Sequence, residues 1–241
     1  MRSLIAFSSG YDSLYIAWKY LTETNNDVTL FFMDMSLLQK QEEVESYINP
    51  FQKYTSIQSH EWMKENFRDH KLKIHFVDKM DHKYDHTKMF CKITAELLNE
   101  NLYDEVLHGA AGVSTNQKSI YKYNRCDVMI KEFERVAKRG KLRFPLKEWG
   151  KHTAHQIQEL PKEMRKLAIS CNFAKPGDNG HYVKCGNCHK CYRNIVIRNA
   201  LEDGCTPDQA LDRYIGTDRA KEDTRLFFKS KDAWGYFDEV K

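Results

Sequence analysis

Short, almost unbroken apolar runs recur along the chain as far as Pro145, and between them apolar positions return at helical spacing. The runs at residues 3–7, 28–33, 72–77, 105–108 and 142–144 read as strands, several of them continuous in the manner of buried parallel strands. Leu14, Ala17, Trp18 and Leu21 share one helical face, as do Ile93, Leu97 and Leu98, and then Met129, Phe133 and Val136. This alternation predicts an α/β fold: a doubly wound, mainly parallel five-stranded sheet with helices on both faces. After Pro145 the strands stop. Residues 149–168 read as helix interrupted by Pro161, a cysteine-rich segment follows, and Thr206-Pro207 marks a further helix start. The expected organisation is an α/β domain over residues 1–150 and a helical, metal-binding part over 151–241 packed on it.

Composition narrows the class without naming it. The 241 residues carry a net charge of +4 with acidic and basic positions intermixed, too mild a bias to argue for a nucleic-acid partner. No apolar run reaches bilayer length, so no membrane partner is expected. The N-terminus lacks the pattern of a signal peptide, which predicts a cytoplasmic location, the host's if the gene is viral or mobile.

The first strand runs into SSGYDS, residues 8–13, immediately before the first helix. A plain turn needs one glycine and one cap, whereas this one has hydroxyls on both sides of Gly10 and a carboxylate besides. In an open parallel sheet, ligands bind beyond the C-terminal strand ends. Small residues let backbone N–H groups approach an anion, and the helix N-terminus adds partial positive charge. Ser8, Ser9 and Ser13 add hydroxyl donors. Asp12 repels phosphate directly, so it either holds loop N–H groups or helps bind the Mg²⁺ that accompanies a nucleotide. The Walker and GxGxxG patterns are both absent.

KCGNCHKC places Cys185, Cys188 and Cys191 at CxxCxxC spacing, with Cys171 as the natural fourth ligand and His181, His189 and Cys205 as weaker ones. Four thiolates in a compact loop suit a structural Zn²⁺ better than an iron–sulfur cluster. Lys184, Lys190, Arg193 and Arg198 lie close by, which keeps a zinc-ribbon nucleic-acid-binding module in view as an alternative.

SSGYDS resembles the SGGxDS loop of the PP-loop (N-type) ATP pyrophosphatases, departing once, at Ser9, where that loop has glycine. That departure matters only if the position needs a positive φ. Together with the C-terminal four-cysteine motif, Pro145-Leu146, Lys151 and Ser170-Cys171, the chain resembles the 7-cyano-7-deazaguanine synthase family. The resemblance implies an adenine nucleotide alpha hydrolase-like fold. It also implies ATP-dependent conversion of 7-carboxy-7-deazaguanine and ammonia to the nitrile through an acyl-adenylate, with Mg²⁺ and structural Zn²⁺ as cofactors. Nucleic acid is then not a direct partner. Ser8, Ser9, Gly10 and Ser13 would hold ATP phosphates, Asp12 and Ser13 would serve the chemistry, and Lys151 would balance phosphate or carboxylate charge. Another PP-loop adenylating enzyme, acting on a different deazapurine, tRNA or protein, is the alternative within that class. The middle of the chain departs from the family: Asp34, Gln39 and Glu42 do not align residue by residue, and Gly109, Tyr123, Arg125 and Cys126 only echo its pattern.

Other signals carry less. Asp78, Asp81, His82, Asp85 and His86 read as a solvated loop near the ligand edge more than as a second metal site. His108 and Gly109 end the fourth strand within reach of a ligand. Cys91 sits among apolar neighbours and reads as core. Trp234, Tyr236 and Phe237 give the tail an apolar surface for the domain or for a second copy of the chain.

Overall fold

The computed structural model describes residues 1–35, 51–77, 86–110, 113–114, 123–151, 153–171, 173–177, 182–218, 220–222 and 224. The first half of the fold is β1 (Arg2–Ala6), α1 (Tyr11–Glu23), β2 (Asp27–Asp34), α2 (Phe51–Asn66), β3 (Lys71–Phe76), α3 (His86–Asn99) and β4 (Glu105–Leu107). A two-residue pair, β5 (Val113–Ser114) and β6 (Tyr123–Asn124), then precedes α4 (Arg125–Glu134) and β7 (Lys141–Arg143). Three short helices follow, α5 (Pro145–Glu148), α6 (Thr153–Glu159) and α7 (Lys162–Leu167). The chain continues through β8 (Lys175–Pro176) and β9 (Tyr182–Val183) to α8 (His189–Asp203) and α9 (Pro207–Tyr214).

β3-β2-β1-β4-β7 form one parallel sheet in that order, so β1 is central and the chain turns first to one side of it and then to the other. Side chains of successive strand residues enter opposite layers. Ile5, Leu30 and Leu107 join α1 and the C-terminal helices, whereas Leu4, Phe31 and Val106 join α3 and α4. The doubly wound α/β architecture and all five strands match the apolar pattern. Ile157, Met164, Val196, Ile197 and Leu211 share one core with α1, so the C-terminal helices are built onto the same layer. No helix among the described residues is long and apolar enough to cross a membrane.

Three local features differ from the sequence pattern. α2 was not legible, because the face it buries carries Thr55, Ser56 and Ser59 between Phe51 and Met63. The stretch around Pro161 forms separate short helices, with Gly150 at φ +62° ending the first turn and Pro161 capping α7. Strand pairing also resumes after Pro145, in the β8–β9 ribbon. At Thr206 the expected helix start is a full capping box with Gln209.

Polar anchors gather near the N-terminal ends of β1, β4 and β3, with Arg143 reaching Glu105 from the end of β7. The buried Glu105 carboxylate accepts from Ser3 Oγ at 2.7 Å and from Arg143 at 3.0 Å. His70, 3 % exposed, meets His60 edge-on at 5.0 Å, and its Nδ1 lies 2.9 Å from the Arg68 carbonyl. Burial holds both imidazoles below the usual histidine value of 6.5, with the neighbouring His70 adding to the effect at His60. The unfolded chain therefore binds more protons below that pH, and folding stability is expected to fall as pH drops through and below 6.5. The slope is at most about 1.4 kcal/mol per pH unit for each histidine. Urea midpoints at pH 7.5 and 5.5 check this; replacing both histidines with glutamine should flatten the difference.

Candidate active site

The ladder continues past β1 through Phe7 N–H to the Phe31 carbonyl at 2.8 Å, and the chain then turns sharply. Ser9 makes that turn. Its φ is +55°, in the left-handed region that glycine favours, and it is fully buried. The position that departs from SGGxDS is thus one that requires positive φ. The Ser9 hydroxyl bonds to Ser59 Oγ on α2, and the Ser9 carbonyl accepts from Ile169 N–H at 2.9 Å. Its hydroxyl therefore faces the interior, and the expectation that it points at a ligand is corrected; its backbone stays part of the loop.

Gly10 is the N-cap of α1 and has no side chain with which to cap it, so the helix start is left open to an outside acceptor. Ser13 folds back to order the turn: its hydroxyl donates to the Gly10 carbonyl at 3.1 Å and accepts from Ser8 N–H at 3.2 Å. Asp12 is exposed in the first turn. The opposite rim comes from β4, on the other side of the central strand, which is the crevice where strand order reverses. There Gly109 lies so close that a Cβ on it would stand 2.9 Å from Asp12 Cβ. His108 Nδ1 accepts from Ala110 N–H at 3.0 Å, and its ring lies edge-on to Phe90 and Phe144.

The four cysteines converge. Sγ atoms of Cys171, Cys185, Cys188 and Cys191 all lie within 4.8 Å of one another, with 3.4 Å from Cys171 to Cys185, 3.9 Å from Cys185 to Cys191 and 4.0 Å from Cys188 to Cys171. The set can hold a metal ion. Four sulfurs sharing one ion at about 2.3 Å stand roughly 3.8 Å apart. Gly186, at φ +75°, turns the chain between ligands, and Cys188 caps α8, whose first turn carries Cys191. Backbone N–H groups of Phe173 and Cys185 donate to Cys171 Sγ at 3.3 and 3.4 Å. Burial pushes the Cys171 and Cys191 thiols upward, so the thiolate form of the cluster calls for a cation. Cys205 packs apart from these four, in the core shared with α1; His181 and the side chain of His189 lie outside the described residues.

The cysteine cluster and the loop are neighbours. Ser170 Oγ would be 3.5 Å from a Cβ on Gly10, and Asn194 on α8 donates to the Ser170 carbonyl at 3.3 Å. The basic residues of the cysteine segment reach the same place. Lys184 Nζ stands 5.6 Å over the ring of Tyr11, where Arg165 and Arg198 also act electrostatically. Lys190 and Arg193 both interact with Asp12. Burial lowers the pKa of Lys184, Lys190 and Arg193, as expected of positive charge held away from bulk water. A cleft of about 590 Å³ opens beside Lys184, lined also by Phe173, Lys175, Val183, Cys185 and Asn187.

The structure thus brings residues 8–13 and the four cysteines together, 160 or so positions apart in sequence. Lys151 is engaged within its own segment. Its ammonium pairs with Glu159, which also accepts from the Tyr15 hydroxyl. Despite burial, which alone would raise it, that Lys151 and Tyr15 pairing holds the Glu159 carboxyl below its ordinary value. Asp34 ends β2 buried, with Lys53 Nζ at 3.1 Å. Cys91 is core, and Cys126 donates to the Ala110 carbonyl at 3.7 Å. His86 Nδ1 lies 3.0 Å from Met35 Sδ, while Gln39, Glu42, Asp78, Asp81, His82, Asp85 and the tail aromatics lie outside the described residues. Ser59 and Arg165 were not singled out by sequence. Neither belongs to a motif, and their relation to the loop exists only in three dimensions.

No family model matches the chain. The curated proteins contain no match to it. Among solved structures it is similar to the U34-tRNA thiolase NcsA from Methanococcus maripaludis with its [4Fe-4S] cluster, at 15% identity and a TM-score of 0.42, covering 95% of this chain and 71% of that one.

Proposed function

We propose that the chain is an ATP-dependent adenylating enzyme of the PP-loop kind, with ATP phosphates held at residues 8–13 and Mg²⁺ at Asp12. One observation carries the reading: an uncapped 13-residue helix starts from a loop of small residues at the sheet's reversal point, and cations from the cysteine segment act electrostatically on Asp12 in its first turn. A single Zn²⁺ on Cys171, Cys185, Cys188 and Cys191 would cross-link the segment that carries those cations. Sulfurs this close suit one shared ion, since thiolates that each bind a different iron of a cluster stand further apart. Lys151 is left the role of fixing α1 through Glu159 and Tyr15.

For the substrate we propose 7-carboxy-7-deazaguanine, with ammonia as the nitrogen source, in the cytoplasm. A carboxylate oxygen attacks the α-phosphorus, the bond to the bridging oxygen breaks, and pyrophosphate leaves. Backbone N–H groups of the loop, Lys190 and Arg193 stabilise the charge gathering on that leaving group. Ammonia then attacks the acyl carbon, AMP departs with the acid's oxygen, and a proton is lost to give the amide. The amide oxygen then attacks the α-phosphorus of a second ATP, pyrophosphate leaves, and loss of AMP and of both protons from nitrogen gives the nitrile. The cleft beside Phe173 has the size and the lysines to take a flat, anionic heteroaromatic acid.

Incubation with ATP, Mg²⁺, ammonium and 7-carboxy-7-deazaguanine, with nucleotide and purine masses followed together, tests this. AMP and pyrophosphate with amide and then nitrile support it in full. AMP without change in the purine would move the substrate to another acid, tRNA or protein, and no nucleotide turnover with tight, salt-sensitive RNA binding would favour a binding module. Gly109→Ala is expected to push the first turn of α1 aside and weaken binding of Mg·ATP roughly tenfold or more, read by calorimetry. Unaltered affinity would remove the β4 rim from the site.

A further inference from the structure

We infer that Ser59, on α2, is a positioning residue that holds Ser9 in the left-handed conformation and so sets the geometry of the phosphate loop; this rests on the ATP reading above. A serine rarely adopts positive φ unless its surroundings impose it. Two contacts impose it here. The Ser9 carbonyl is fixed by Ile169 N–H, and its hydroxyl is tied to Ser59, with the Leu167 carbonyl a longer 3.4 Å away. Ser9 and Ser59 are both essentially inaccessible, so water does not compete for that bond. The polar face of α2 becomes intelligible on this basis. A helix packed against the core would ordinarily offer apolar residues at these positions, but a hydroxyl at 59 supplies the one group that a left-handed serine needs. Ser56, one turn away on the same helix and equally buried, has a hydroxyl without a protein partner among the described residues. Burial alone therefore does not account for the link at 59.

The inference makes a specific claim about glycine. Glycine adopts positive φ without support, so with glycine at position 9 the tether becomes dispensable. The test is a double-mutant cycle with α,β-methylene-ATP and Mg²⁺ as the probe, read by calorimetry. Ser59→Ala is expected to weaken binding about tenfold, the scale of one lost buried hydrogen bond. Ser9→Gly sets its own reference affinity, and adding Ser59→Ala to it should change binding by less than about twofold. Ser56→Ala is the control and should leave affinity unchanged.

Equal affinity of Ser59→Ala and the natural chain would overturn the inference, as would a loss on adding Ser59→Ala to Ser9→Gly as large as the loss in the natural chain. If the natural chain binds no nucleotide, the ATP reading falls and the nucleotide part of this inference with it. Urea midpoints of the same four proteins then decide the remaining part: less-than-additive losses support the tether, and additive losses overturn it.

Discussion

Replacing Cys188 with serine is expected to strip the metal from the protein and lower its thermal midpoint by about 10 °C or more. The physical reason lies in how little else holds the segment. Cys185 and Cys188 flank a left-handed glycine, β8 and β9 are two residues each, and the described part of this segment has few apolar anchors beyond Ile169 and Ala174. One ion bound by the four thiolates would be the cross-link that joins Cys171, after α7, to the start of α8. A serine hydroxyl stays protonated where a thiolate would ionise, so three ligands remain and affinity collapses. Because Ile169 holds the Ser9 carbonyl, the loss should spread to the loop. Metal content by elemental analysis, together with the melting curve, checks it. Cys126→Ala, in the other core layer, should keep the metal. A Cys188→Ser protein with full metal content would contradict the assignment.

The second large effect is expected from Arg193→Gln. Arg193 lies in α8 two positions beyond Cys191, and its charge acts on Asp12 at the opening of α1. A fixed cation facing a leaving pyrophosphate acts mainly where charge develops, so its removal should cut AMP formation by about 10²–10³-fold. Metal content should stay unchanged, which separates loss of charge from loss of the cluster. Lys151→Met should behave differently, because its ammonium is engaged by Glu159: stability falls, and AMP formation changes by less than about tenfold. Equal losses in the two variants would return Lys151 to the chemistry.

Much of the fold was legible because the physics that built it is local or periodic. Five strands show as apolar runs, α1 and α3 as apolar stripes, and α9 as a capping residue followed by proline. The cysteine spacing forces tight turns and so announces a cysteine cluster able to hold a metal, and the small residues of SSGYDS announce an open helix start. What could not be read depends on contacts between distant segments. α2 hides because Thr55, Ser56 and Ser59 are polar in composition yet buried in place, which inverts the usual pattern. Positive φ at Ser9 leaves no trace in a residue that tolerates it poorly. Lys190 and Arg193 look like helix-surface cations until the fold carries them to Asp12, and Lys151 looks available until Glu159 is seen beside it.

The central claim is that a carboxylate oxygen attacks the α-phosphorus of ATP held at residues 8–13. Carboxyl-¹⁸O-labelled 7-carboxy-7-deazaguanine, incubated with the protein, ATP, Mg²⁺ and ammonium, tests it in one mass spectrum of the nucleotide products. The account predicts AMP carrying one ¹⁸O, left on phosphorus when ammonia displaces it from the acyl carbon. ADP, or AMP whose added oxygen comes from water, would contradict it.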